Sequence, residues 1–211
     1  MTDFAYGFLV RAEHHNAATE AANPLTTPHI FRALNKAWSV LLIDDWPDEA
    51  PAEDWLIEHS KAFPVLFYHH EPDGGWGYEV HDKGEITAAL EVNYQLSWEV
   101  TASLAAWLYP EQDIYESEAI RAAWKSIAYV VDGSDKLTGE IEAQYIDANP
   151  AAFEAFGLDE KTVARLEQLL TPAGYPRPRS DVPLHGQVTE FKAALNIGAM
   201  TGLNLEKALR G

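Results

Sequence analysis

The sequence predicts an α+β fold: an antiparallel β-sheet flanked by helices, with a helical C-terminal part. Three observations lead there. Short alternating or fully apolar runs crowd the first 92 residues. Apolar residues at helical spacing dominate after Leu96. Strands early and helices late are the order of an α+β chain.

Taking the elements in order, Phe4–Val10 reads as a strand. The polar stretch Arg11–Asn23, stopped by Pro24, reads as a loop. Thr26 or Thr27 can cap a helix with Pro28 at its first position, and Ile30, Leu34, Ala37 and Trp38 supply its apolar stripe. Val40–Ile43 is a short buried strand. Asp44–Glu53 holds Pro47, Pro51 and five acids, a pattern against regular structure. Asp54–Lys61 fits a short helix.

Residues 63–92 form a meander of three strands, Phe63–His70, Trp76–His81 and Ile86–Val92. Asp73-Gly74 is a favoured type I′ pair and, placed at the tip, sets Phe67 opposite Val80 and His69 opposite Tyr78. A three-residue loop Asp82-Lys83-Gly84, with Gly84 at positive φ, sets Tyr78 opposite Ala88. That choice gives one continuous apolar face: Val65, Phe67, His69, Trp76, Tyr78, Val80, Ile86, Ala88, Leu90 and Val92. His69 is then buried and structural, while His70 is the more exposed of the pair.

Helices follow from near Ser97 to before Pro110 and from a Ser117 cap along Ile120, Ala123, Trp124, Ile127 and Val131. Asn149-Pro150 opens a short helix carrying Phe153 and Phe156 and closed by Gly157. Asp159, Thr189 and Asn204 start three more. Trp38, Trp76, Trp98, Trp107 and Trp124 fall on apolar stripes and read as core. The expected organisation is an acidic α+β core domain over 1–131 and a helical region over 132–211, with a Pro-rich linker at 171–183, packed on the core; one single domain is the alternative.

Charge narrows the function. The net charge is −18. Residues 37–120 hold 18 acids against Lys61 and Lys83 alone. Such a field repels nucleic-acid backbones and anionic membranes and attracts a basic protein partner. The chain has no cysteine, which excludes disulfides, thiolate metal sites and a cysteine nucleophile. No run approaches the 18 or so apolar residues of a membrane span, and Met1-Thr2-Asp3 offers no basic leader, so a cytoplasmic location is expected.

Chemistry has few anchors. Neither G-x-x-x-x-G-K-[ST], G-x-G-x-x-G, G-x-S-x-G nor H-E-x-x-H occurs, and no cofactor is expected. Imidazoles beside carboxylates are the usual acid–base or metal groups. The catalytic candidates are His70, Glu71 and Asp73, and His14 and His15 could join His70 as metal ligands if the first strand lies beside the third. The loop 44–58 offers two indoles among carboxylates, the pattern of a binding surface: Asp44, Asp45, Trp46, Asp48, Glu49, Glu53, Asp54 and Trp55. The leading expectation is therefore a non-catalytic protein that engages a basic partner through this segment and an exposed sheet edge. By class analogy alone this is the character of small acidic bacterial immunity proteins or enzyme regulators. The alternative is a hydrolase with a His–carboxylate site, with or without a metal.

Overall fold

Three strands are apolar on both faces, and that places them at the centre of the sheet. They are β1 (Ala5–Arg11), β3 (Trp38–Ile43) and β4 (Val65–Glu71). With β2 (His29–Ala33), β5 (Gly75–Asp82) and β6 (Glu85–Asn93) they form a six-stranded sheet of order β2-β3-β1-β4-β5-β6, every neighbouring pair antiparallel. The computed structural model describes residues 4–43 and 50–210, and only the backbone of 50–54.

One face of the sheet carries Leu9, Trp38, Val40, Leu66, Tyr68, Trp76, Tyr78, Val80, Leu90 and Val92. The C-terminal helices cover it: α3 (Leu96–Leu108), α4 (Glu118–Asp132), α5 (Asp135–Gln144), α6 (Glu160–Leu169), α7 (Gly186–Leu195) and α8 (Leu205–Arg210). Residues on both sides of position 132 share this one cluster. Phe191 of α7 stacks on Tyr78 at 5.1 Å, and the Trp38 indole donates to the Leu195 carbonyl oxygen at 2.8 Å. Helices α4, α5 and α6 are capped by Ser117, Ser134 and Asp159, each accepting a backbone N–H. The other face carries Phe8, Val10, Leu41, Ile43, Val65 and Phe67 under α1 (His15–Ala22) and α2 (Ala50–His59). Those two helices cover the β3-β1-β4 half; beyond it, the same face of β5 and β6 presents polar side chains.

Several expectations are corrected. The segment 26–38 is a hairpin and not a helix. The Asn35 side chain accepts the N–H groups of Ala37 and Trp38, an Asx turn that reverses the chain from β2 into β3. Arg11–Asn23 is no loop: it contains α1, whose Ala18 and Ala22 are buried on the sheet. Asp44–Glu53 is regular from Ala50 on. Helix α7 starts at Gly186, three residues before Thr189.

The β4–β5 register is shifted by one. Glu71 lies opposite Gly75, so the connection is Pro72-Asp73-Gly74, and Phe67 faces Glu79 instead of Val80. A one-residue slip inverts a strand's faces, so Leu66, Tyr68 and His70 join Tyr78. Between β5 and β6 Asp82 pairs with Glu85, so the loop is the two residues Lys83-Gly84 and not the expected three; at φ +56° and +84° both are left-handed, with Gly84 at positive φ as expected. A bulge at Val80/His81 restores the parity, so Ala88, Leu90 and Val92 share the face of Tyr78 as expected, though Tyr78 pairs with Leu90 and not Ala88. Ile86 turns outward and is 57% exposed. Trp107 and Trp98 are also exposed, not core.

Candidate functional site

The polar half of the second sheet face is the floor of an open cleft of about 980 Å³. Leu56 and Ile57 at the end of α2 form one wall; Glu140, Ala143, Gln144 and Asp147, in and after α5, form the other. The floor is built around a missing side chain. Gly77 of β5 lies between His69 of β4 and Glu91 of β6, its cross-strand partners. With no side chain at 77, the imidazole Nε2 of His69 donates to the Glu91 carboxylate across the central strand at 2.7 Å. Phe67 stacks on the His69 ring at 5.6 Å. One row further, Glu79 accepts from Nε2 of His81 at 2.7 Å. They are two positions apart on one strand and so share a face.

Two His–Glu pairs thus line the same cleft, with both rings buried and both carboxylates reaching toward solvent. Each can pass a proton, and the carboxylates of Glu79, Glu91, Glu140 and Asp147 accept cations or hydrogen-bond donors. Among the described residues that line the cleft there is no lysine, arginine, serine, threonine or cysteine. Its described lining therefore offers no aliphatic hydroxyl, thiol or amine nucleophile, and the Tyr78 phenol is buried and donates to the Ala148 carbonyl. Among the described residues, no three His, Cys, Asp or Glu side chains converge to hold a metal.

Most residues singled out in the sequence lie elsewhere. His70, expected to be exposed, is 7% exposed and points to the opposite face, toward the C-terminal helices. His69, expected against Tyr78, is opposite Gly77 in the cleft. Glu71 is exposed at the end of β4, and Asp73 sits in the turn after it. β1 does lie beside β4, but antiparallel, with Ala5 opposite His70. His14 and His15 consequently fall at the far end: His14 stacks on Phe63, and His15 shares a hydrogen bond with Ser39. They cannot join His70.

Trp55 is buried against Phe8 and donates to the Ala21 carbonyl, so it is core and not a surface anchor. Asp44, Asp45, Trp46, Asp48 and Glu49 lie outside the described residues, as do the side chains of Glu53 and Asp54. The β6 edge is covered. Ala89 N–H donates to the Asp147 carbonyl at 2.8 Å, and the Asn149 side chain donates to the Thr87 carbonyl.

His69, Glu79, His81 and Glu91 were missed as a group. The available signal was Gly77: a glycine inside a strand of bulky residues marks a close approach across it.

Comparison with known proteins adds little. No family model matches the sequence, and no solved structure matches it. A cysteine–tRNA ligase of Phenylobacterium zucineum (strain HLK1) is 27% identical over 176 residues, a region that covers 76% of this chain. The chain spans 37% of the length of that protein.

Proposed function

We propose that this is a non-catalytic protein of the cytoplasm that engages a basic protein partner, and that its acidic cleft receives cationic side chains of that partner. The observation that carries this reading is the cleft's composition: four carboxylates and no lysine or arginine. The net charge of −18 extends the same field beyond the cleft and would speed encounter with a basic surface. The end of α2 contributes Leu56 and Ile57 to the wall, so these two residues of segment 44–58 border the proposed interface. A tRNA partner, which the ligase likeness would suggest, is disfavoured by the repulsion between this charge and a phosphate backbone.

A titration of the full chain with hexa-arginine, followed by calorimetry at low and at about 150 mM salt, tests the reading. Glu79→Gln, Glu91→Gln, Glu140→Gln and Asp147→Asn together should weaken binding about tenfold or more at low salt. A control with the same charge change outside the cleft, at Glu111, Asp113, Glu116 and Glu118, should weaken it far less. Equal losses in the two variants would mean that the cleft is not the site.

The two His–Glu pairs favour a second reading, a hydrolase working by general acid–base catalysis on an attacking water. Ester or amide turnover that vanishes in His69→Gln and His81→Gln, with the fold intact, would replace the first reading by this one.

A further inference from the structure

The opposite face of the same strands holds a second polar cluster, and six of its buried side-chain nitrogen and oxygen atoms have no hydrogen-bond partner among the described residues. His70 is 7% exposed, yet neither of its ring nitrogens makes a hydrogen bond. The indole N–H of Trp76, its cross-strand partner, has none either, nor do the buried hydroxyl of Tyr68, the hydroxyl of Tyr94 and Nδ1 of His185. The His70 ring meets the His185 ring edge-on at 5.3 Å, and the His185 ring lies 5.5 Å from that of Tyr94. Tyr68 is two residues from His70 on the same strand face.

Lys192 completes the cluster. It lies on α7, about two turns from His185, and it is 7% exposed. Its ammonium donates to the Thr201 hydroxyl at 2.9 Å, and among the described residues no carboxylate pairs with it. Burial lowers its pKa, and its charge is among the influences that hold His70 neutral, with a pKa pulled down to about 4, chiefly by burial. A buried cation with no counter-charge is costly, and so is each buried polar atom left unpaired.

The inventory has a consistent sign. Lysine and indole can only donate, while phenols and imidazoles donate whenever an acceptor is at hand. Such a set lacks one thing, an acceptor that is also negatively charged. An open groove bordered by Leu169, Pro183, Gly186 and Thr189, with the carboxylates of Asp181 and Glu190 on its rim, meets the cluster at His185, the one member of the cluster among its described lining residues.

We propose that this cluster binds a small oxyanion, a carboxylate or a phosphate, held by Lys192, His70 and His185 with the hydroxyls of Tyr68 and Tyr94, and reached through the groove at His185. The anion would supply the counter-charge for Lys192 and acceptors for the surrounding donors.

The test uses the full chain in chloride buffer, titrated separately with sodium acetate and sodium phosphate to millimolar levels. Binding is read by calorimetry and by the imidazole resonances of the histidines. At least one probe should saturate and shift His70 and His185 while leaving His69 and His81 in place; which probe does so distinguishes carboxylate from phosphate. Lys192→Met should weaken binding about tenfold or more, and Tyr94→Phe, which removes one donor at unchanged shape, should weaken it several-fold. If Lys192→Met does not fold, Tyr94→Phe alone decides. The proposal is overturned if neither probe saturates, if saturation leaves His70 and His185 unmoved, or if the folded variants bind as the parent does.

Discussion

Replacing Gly77 by alanine tests the construction of the cleft floor. A Cβ at 77 would stand 2.5 Å from Nε2 of His69 and 2.5 Å from the Leu90 carbonyl oxygen, and closer still to the Glu91 carboxylate. The side chains can swing away, but the carbonyl belongs to the paired strand and cannot. Overpacking of this kind costs about 1–3 kcal/mol. Losing the His69–Glu91 bond adds at most about 1 kcal/mol, because the Glu91 side chain is largely solvated. Alanine recovers about 0.5–1 kcal/mol of backbone entropy relative to glycine. The net loss is about 2 kcal/mol, or roughly 4–8 °C in Tm for a chain of this length. Urea denaturation at neutral pH measures it. Glu91→Gln, which weakens the bond without a clash, should cost under about 1 kcal/mol. Gly139→Ala provides the control: nothing lies within 4 Å of its Cβ position in α5, so it should stabilise by about 0.5–1 kcal/mol. If Gly77→Ala proves as stable as the parent, or costs no more than Glu91→Gln, the floor is not built around the missing side chain.

Two further outcomes are expected. Gly84→Ala should cost about 1 kcal/mol in urea denaturation, from strain at φ +84°. His70 binds its proton in the unfolded chain near the ordinary histidine value, but in the folded protein only near pH 4. Its contribution to stability is therefore complete above about 6.5 and lost as pH falls from there to about 4, a change of roughly 3 kcal/mol at most. Urea midpoints in chloride buffer at pH 7 and 4.5 should fall further for the parent than for His70→Asn; parallel falls would contradict a buried neutral His70.

The sheet, the meander and the late helices other than α5 were legible because each rests on local patterning. Ser117 and Asp159 mark helix starts by their own chemistry, and Gly84 marks a turn residue at positive φ. The register of β4 was not legible. Val65-Leu66-Phe67-Tyr68 is apolar at every position, so the demand for one continuous apolar face is met by either parity. Only the β4–β5 loop decides between them, and Pro72 lengthened it beyond the Asp73-Gly74 tip. The hairpin at 29–43 was hidden by a similar competition. Thr27-Pro28 is a good helix start, but the Asx turn at Asn35 and pairing with a fully buried β3 outweigh it.

That single register also decides which face each of His69 and His70 enters. Consecutive residues in a strand project from opposite faces. The first enters a cleft lined by carboxylates, and the second enters a cluster of donors around Lys192. One strand therefore serves two environments of opposite sign, separated by the thickness of the sheet. Substitutions at 69 report on the cleft, and substitutions at 70 report on the cluster. The two sets of measurements check each other: a change at 69 that disturbs oxyanion binding, or a change at 70 that disturbs hexa-arginine binding, would mean that the strand itself has moved and that neither face has been probed alone.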